Sequence, residues 1–509
     1  MYYFPRFRWL VVALLLIATA APALAQKKLP SAEKIVDNYL KAIGGKKSAG
    51  ALKDATYEWI IQLNDQPFGT ARLQRKAPAS ERWELTFGNG QIISATNTRS
   101  AWELGLDRHL RTLTGPESAA AKLRATLDSS RLVNFKKSNV LARVLSLGDL
   151  GSEPAYIVEF STRSGARFHY YFSVKTSLLT KITGDVKKTR VTFEDYRAEH
   201  GILEPHRVRM NLDGSGDLTL LLQSVKYNTG IEDRVFDPPA ATENLDLAAL
   251  WREVVANQDE LEKRVAEYAF KQTEIDREIN SKGELKKETT KVYEVYPLPN
   301  REPVQKLISE NGVPLSPERA AKEDKRVQEE FAKAERDKEK DEKKVAQRRA
   351  EREKKKDEEG TEISPFLKAC EFVSPRREIL GGRETIVFDF RPRAGFKPKT
   401  RQESLIAKLI GVVWIDPVDK QVIRLEARLA EGFKMAGGLL VSLKPGAAVV
   451  MEQTRMDRGV WLPKFAQLNL SVKVLLFGGG DYNKTIEWSE YRHFAGDVKD
   501  YKLDTPAKP

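Results

Sequence analysis

Two stretches of this chain, about 258 residues apart, align without a gap. Phe193-Glu194-Asp195-Tyr196-Arg197-Ala198-Glu199-His200-Gly201-Ile202-Leu203-Glu204-Pro205 lies on Met451-Glu452-Gln453-Thr454-Arg455-Met456-Asp457-Arg458-Gly459-Val460-Trp461-Leu462-Pro463. Glu, Arg, Gly and Pro coincide, and the register runs on to Asn211-Leu212 against Asn469-Leu470. Upstream, Tyr156–Phe160 precedes Tyr170-Tyr171-Phe172 as Ile386–Phe390 precedes Val413-Trp414-Ile415. Each copy reads as strands, a tight Gly turn, then a strand that starts just after Pro. Glycine suits a turn that needs φ > 0, and Pro at a strand's first residue costs no ladder bond. The period is too long for a solenoid, so the repeat predicts two homologous domains built on one β-architecture.

Periodicity fills in the rest. Ser31 reads as the N-cap of an opening helix with Ile35, Tyr39, Leu40 and Ile43 on one face, stopped by Gly44-Gly45. Gly44-Gly45-Lys46-Lys47-Ser48 lacks the upstream Gly of a phosphate loop and follows a helix, so it is a helix stop. From Ala55 the period becomes two: Tyr57, Trp59, Ile61 and Leu63 alternate, as do Trp83, Leu85 and Phe87 before Gly88-Asn89-Gly90. Further strands are expected at 155–160, 168–172, 191–196, 208–212 and 218–225, with a helix over 117–132. A second helical start spans 245–267, and strands resume at 268–275 and 291–295. The expected class is α+β, mainly an antiparallel meander rather than a βαβ alternation. Residues 316–360 hold 16 Lys and Arg against 15 Asp and Glu, interleaved at helical spacing. They predict a solvated helical insertion in the second half, the alternative being a frayed linker.

The N-terminus has the three parts of an export signal. Arg6 and Arg8 precede the apolar run Trp9–Ala20, and Ala23-Leu24-Ala25 offers a cleavage site before Gln26. The run is shorter than the roughly 20 residues a spanning helix needs. Residues 1–25 are therefore expected to be removed, which leaves domains over 26–243 and 244–509. Gln26 stands where a lipoprotein would have Cys, so the chain is expected to be periplasmic and not lipidated. Cys370 is the only cysteine, which forbids an internal disulfide; with no His nearby in sequence it reads as a buried apolar residue. The formal charge is +13. Export removes nucleic acid from the partners such a charge could serve and leaves an anionic membrane surface or an acidic envelope protein.

The helix ending in Ala42-Ile43-Gly44-Gly45, the strand with Ala101-Trp102-Glu103 and the block from Tyr171-Phe172 to Pro205 resemble LolA-type periplasmic lipoprotein carriers and the related outer-membrane lipoprotein-sorting proteins. The resemblance covers 29–239, and more weakly 247–494 through the repeat. It implies two open, incomplete β-barrels, each wrapped around helices, with an apolar cavity that takes acyl chains. It also implies no cofactor, and partners that are lipid acyl chains or lipoproteins. The chain departs from the simple carrier in being doubled.

Acyl chains require apolar area rather than a catalytic group, and aromatic rings supply it at low rotamer cost. Trp59, Trp83, Phe87 and Trp102 are the expected ligand-facing residues of the first half; Trp414, Trp461 and Trp488 are those of the second. Packed core is the competing role for each. Phe433, Met435, Leu439 and Leu440, within 432–450, are candidates for an apolar lid, with an ordinary hairpin as the alternative. Among His109, His169, His200, His206 and His493 no pair has zinc-motif spacing, and there is no G-x-S-x-G elbow. His200 and His206 flank one turn, but Arg458 and Lys464 replace them in the second copy. The expected function is a non-enzymatic carrier of lipids or lipoproteins. A scaffold that senses lipoproteins through a protein partner is the alternative, and a hydrolase is third.

Overall fold

The computed structural model describes residues 29–493 apart from 134, 150–152, 164, 187–188, 213–215, 241–245, 266, 281–284, 299–302, 337–362, 436–440, 457–458 and 475–477. The expected export signal lies outside the described residues. The chain enters on α1 (Ala32–Ala42), where the Ser31 hydroxyl accepts from the Lys34 amide at 3.3 Å. Ile35, Val36 and Leu40 form its buried face. The helix stops at Gly44 and Gly45, both at positive φ, before the short α2 (Lys46–Ala51).

The first sheet comprises β1 (Asp54–Leu63), β2 (Gln66–Lys76), β3 (Ser80–Phe87), β4 (Gly90–Thr96), β5 (Ala101–Leu104), β6 (Leu110–Thr112), β7 (Leu141–Asp149), β8 (Pro154–Ser161), β9 (Arg167–Ser173), β10 (Leu179–Gly184), β11 (Arg190–Glu199), β12 (Ile202–Leu212) and β13 (Gly216–Tyr227). Its order is 6-5-4-3-2-1-13-12-11-10-9-8-7, antiparallel at each pair. The chain meanders outward through β6, crosses on α3 (Gly115–Ser129) and meanders back until β13 closes on β1. The edges β6 and β7 do not pair, so the barrel stays open. On one face α1 and α3 bury Leu40, Leu123 and Leu127 against Phe160, Tyr170 and Phe172.

After α4 (Leu247–Val265) comes a second antiparallel sheet. The second sheet comprises β14 (Tyr268–Ile279), β15 (Leu285–Tyr296), β16 (Val304–Glu310), β17 (Val313–Pro314), β18 (Cys370–Leu380), β19 (Arg383–Pro392), β20 (Leu409–Asp416), β21 (Gln421–Leu429), β22 (Phe433–Met435), β23 (Val441–Leu443), β24 (Ala448–Arg455), β25 (Trp461–Val474) and β26 (Gly478–His493). Its order is 17-16-15-14-26-25-24-21-20-19-18, with the β22–β23 hairpin hung on β25. Its first strand again pairs with its last, and its edges again stay open. α4 buries Leu250, Trp251 and Val254 against Ile386, Phe388, Val413 and Ile415. The charged segment begins as α5 (Pro317–Arg336), whose Val327 and Phe331 are buried against Tyr296 and Val304. At about 1.5–3 kcal/mol each, those two residues fasten an otherwise solvated helix to the sheet. Residues 337–362 lie outside the described set. The helices α6 (Ile363–Ala369) and α7 (Arg401–Ile406) complete the α-helices among the described residues, beside 3-10 turns at Phe135–Ser138 and Asp233–Phe236.

The two sequence repeats fall on equivalent hairpins, β11–β12 and β24–β25. One expectation needs correcting. Pro205 and Pro463 are not the first residues of their strands: β12 starts at Ile202 and β25 at Trp461. They are tolerated because pairing to the following strand begins only at Arg207 and Phe465, two residues later in each case. Pro therefore sits where one flank has no ladder to lose.

Candidate functional site

Cross-strand rows carry one apolar face over six strands of the first sheet, β3-β2-β1-β13-β12-β11. One row reads Phe87, Gly69, Ile61, Leu220, Val208, Phe193, each opposite the next. Leu85, Ala71, Trp59 and Leu222 form a second row, and Trp83, Leu73, Tyr57 and Val225 a third. Gly69 is required in the first row, since a Cβ there would lie 2.3 Å from the Thr86 carbonyl oxygen. This cluster is made of strand residues alone, unlike the helix-covered core beside it. Exposure rises outward: Ile61 and Leu220 are buried, Phe87 and Phe193 are half-buried, and Phe68, whose ring lies 5.1 Å from that of Phe87, is 47% exposed. Trp59, Trp83 and Phe87 are thus brought together on one face, with Trp59 at its closed middle.

A polar network separates this face from the helices. Glu204 accepts from Tyr57 at 3.1 Å and from Tyr227 at 2.6 Å, and pairs with Arg131 at 2.5 Å. Beside it Arg75 bridges Glu81 and Asp128 at 2.9 Å each, and Tyr170 donates to Asp128 at 3.1 Å. Burial pushes the Tyr57 and Tyr170 hydroxyls far above the usual phenol range, so both remain neutral donors. None of these side chains is a site residue in the sequence reading, which places Tyr57, Tyr170 and Glu204 only in strands and in the repeat. The signal was Glu204, a lone carboxylate within the apolar start of β12.

The remaining expected residues are dispersed. Trp102 is fully buried, donates to the Phe236 carbonyl at 3.0 Å, and borders a separate hollow of about 80 Å³. Trp414 and Trp461 share a core cluster with Val387, Val412 and Ile423. Trp461 donates to Asp419 at 2.9 Å, while Trp488 stands apart and donates to Gln272 at 3.0 Å. Phe433 and Met435 belong to β22, paired to β23. Leu439 and Leu440 lie outside the described residues.

The large cavity lies elsewhere, between the sheets. It measures about 1230 Å³. Leu123 and Ala119 of α3 line one wall, and Ala427, Val449, Val450 and Phe465 of the second sheet line the other. None of the seven expected aromatic residues is among its lining. Buried polar contacts hold its walls together. Ser100 donates to Asp389 at 2.7 Å, Arg376 pairs with Asp389 at 3.0 Å, and Glu378 accepts from the Thr112 amide at 2.7 Å. The last contact joins the open edges β6 and β18.

Among the described residues no group of three His, Cys, Asp or Glu could hold a metal. His206 sits 3.1 Å from Glu199 while the His200 ring packs on Tyr227, so the two rings do not converge. Cys370 is buried, and burial pushes its thiol up to about 12. No described helix is long and apolar enough to cross a membrane.

No protein-family model matches the chain, and no curated protein matches it. Solved structures do. A LolA superfamily protein, NE2245 from Nitrosomonas europaea, is 14% identical with a TM-score of 0.30, over 41% of this chain and 99% of that one. A DUF1329 family protein from Desulfovibrio piger is 12% identical with a TM-score of 0.28, over 40% of this chain and 96% of that one. The Pseudomonas aeruginosa MucA/MucB complex matches over 91% of this chain and 99% of that one at 9% identity, with a TM-score of 0.17. Likenesses this distant carry no argument about ligand or partner.

Proposed function

We propose that this protein is a non-enzymatic periplasmic carrier that shields the acyl chains of lipids or lipoproteins. The observation that supports it is the cavity of about 1230 Å³ between the sheets. That volume exceeds the usual range of about 300–1,000 Å³ for small-ligand sites, and most of the surface facing it is apolar although charged side chains punctuate it. In this reading residues 1–25 are the export signal, 26–243 and 244–509 are two copies of one domain, and the ligand lies between them. The apolar face around Phe87 and Phe193 is a second, shallower surface for the same chemistry. The test is mass spectrometry of an organic extract of the purified mature protein, followed by binding of a fluorescent acyl probe after delipidation. Copurifying lipid, and probe binding that Val449→Trp reduces without loss of fold, are expected. A delipidated protein that takes up no acyl probe would sink the reading.

One observation favours a scaffold as the second reading. β7 is an edge strand whose outer flank pairs with no strand among the described residues, and its Leu145 and Leu147 are 40% and 53% exposed. Such an edge can accept a strand from a partner. Crosslinking at Leu147 that captures no envelope protein would remove this reading.

A further inference from the structure

The cavity between the sheets carries a charge imbalance. Eight Lys and Arg side chains line it, against four Asp and Glu. All four carboxylates are engaged. Glu426 holds Arg424 at 2.8 Å, Glu452 holds Lys464 at 2.7 Å, Asp481 holds Arg163 at 2.5 Å and Asp185 holds Arg167 at 3.3 Å.

Three of the eight cations have no carboxylate partner among the described residues: Lys137 is exposed to solvent, whereas Lys122 on α3 and Arg428 on β21 stand on facing walls. Arg428 donates to the Thr98 carbonyl at 2.6 Å and has no carboxylate partner among the described residues. The Lys122 ammonium has no hydrogen-bond or ion-pair partner among them. Both residues are half-buried. Burial holds the Lys122 ammonium below its usual range; Glu426 and Asp389 oppose this and the Arg428 charge adds to it. Burial alone lowers the Arg428 guanidinium to about 10. A half-buried cation with no counter-ion bears part of the cost of leaving water, and an anion that arrives with a ligand removes that part. Paired Arg424 and Lys464 cannot play this part, because each already has its carboxylate.

We propose that Lys122 and Arg428 form a headgroup site that selects an anionic amphiphile. Its phosphate or carboxylate lies between the two cations, and its acyl chain occupies the aliphatic remainder lined by Leu123, Ala427, Val449 and Val450. The assignment rests on the acyl-binding reading of this cavity. It names the ligand as a single-headed anionic lipid or the anionic end of a lipid-modified chain. Two charge-assisted contacts in a partly desolvated site correspond to a preference of roughly 10- to 100-fold over a zwitterion of equal chain length.

The test measures affinities of the full mature protein for oleoyl-lysophosphatidylglycerol, oleoyl-lysophosphatidylcholine and inorganic phosphate, all below micelle formation. The same titrations are run on Lys122→Gln, Arg428→Gln and the double variant, with thermal melts alongside. The expected result is an anionic preference in the wild type that vanishes in the double variant, with unchanged phosphatidylcholine affinity and no fall in Tm. Equal affinity of the wild type for both lipids overturns the headgroup site while leaving the acyl reading standing. Phosphate binding as tight as the anionic lipid assigns the cations to a free anion and overturns the amphiphile. Loss of both lipids together with a lower Tm makes the cations structural and overturns the proposal too. Failure of the wild type to bind either lipid is the separate failure of the acyl reading itself.

Discussion

Asp389, fully buried in the second sheet, accepts at 2.7 Å from the hydroxyl of Ser100, in the turn that leads into β5 of the first. The same carboxylate pairs with Arg376 at 3.0 Å and Arg99 at 3.3 Å. Arg376 is itself 1% exposed. Asp389→Ala therefore removes one of two carboxylates from a buried guanidinium, which keeps Glu378 at 2.7 Å, at a cost of about 1.5–3 kcal/mol. Urea denaturation should show it, and the two halves should then unfold in separate transitions. A single transition at the wild-type midpoint would contradict this role for Asp389.

Gly44 and Gly201 are both at positive φ, but they differ in what surrounds them. A Cβ on Gly44 would lie 2.4 Å from the Gly201 carbonyl oxygen, whereas one on Gly201 would meet nothing within 4 Å. The close approach exists because the Leu203 amide donates to the Ile43 carbonyl at 2.9 Å, docking the end of α1 on the β11–β12 turn. Gly201→Ala should cost only the left-handed strain, about 1–2 kcal/mol. Gly44→Ala should cost measurably more, because backbone must move. Equal losses in chemical denaturation would show that the contact relaxes freely.

The repeat made that hairpin legible, since a Gly with fixed neighbours encodes a turn locally. Trp59, Trp83 and Phe87 were legible for a similar reason: a period of two places them on one face, and adjacent strands align that face into rows. The interface was not legible. Asp389 and Ser100 are 289 residues apart, and no local period links them. The one hint was Asp389 itself, a lone charge in the otherwise apolar Ile386–Phe390 run, which signals a buried partner without naming it. Lys122 and Arg428 look in sequence like ordinary surface charges. Only the cavity that sets α3 opposite the second sheet shows that they lack counter-ions.

Glu81 and Asp128 share Arg75, yet burial and neighbours drive them apart. Burial pushes Glu81 up, but Arg124 and Arg75 outweigh it and hold the carboxyl below its usual range. Burial dominates for Asp128 and raises it. A depressed folded value for Glu81 means stability that is present above the unfolded carboxylate range and lost as pH falls through the folded value. Glu81→Gln should therefore cost about 3–5 kcal/mol at pH 7, and the deficit should shrink below about pH 4. For Asp128 the sign reverses: a raised folded value disfavours the charged form as pH rises. Asp128→Asn should cost less than Glu81→Gln at pH 7. Denaturation midpoints across pH 3–8 check both; parallel pH profiles for the two variants would refute the assignment.

Trp102 and Trp414 form a matched pair. Each is fully buried, and each lies under a guanidinium, Arg82 at 5.6 Å and Arg424 at 5.9 Å. They differ at one atom. Trp102 Nε1 donates to the Phe236 carbonyl at 3.0 Å, while Trp414 Nε1 has no acceptor among the described residues. Replacing either by Phe removes similar volume, so the packing loss is shared. Trp102→Phe also deprives a buried carbonyl of its closest donor, which adds about 1–3 kcal/mol. Trp414→Phe instead removes a buried donor that was already unpaired. Trp102→Phe should therefore be the more destabilising by that margin, read as the difference in denaturation free energy between the two variants. A larger loss at Trp414 would mean that its indole nitrogen meets a polar ligand or water in solution, which would return it to the set of ligand-facing residues.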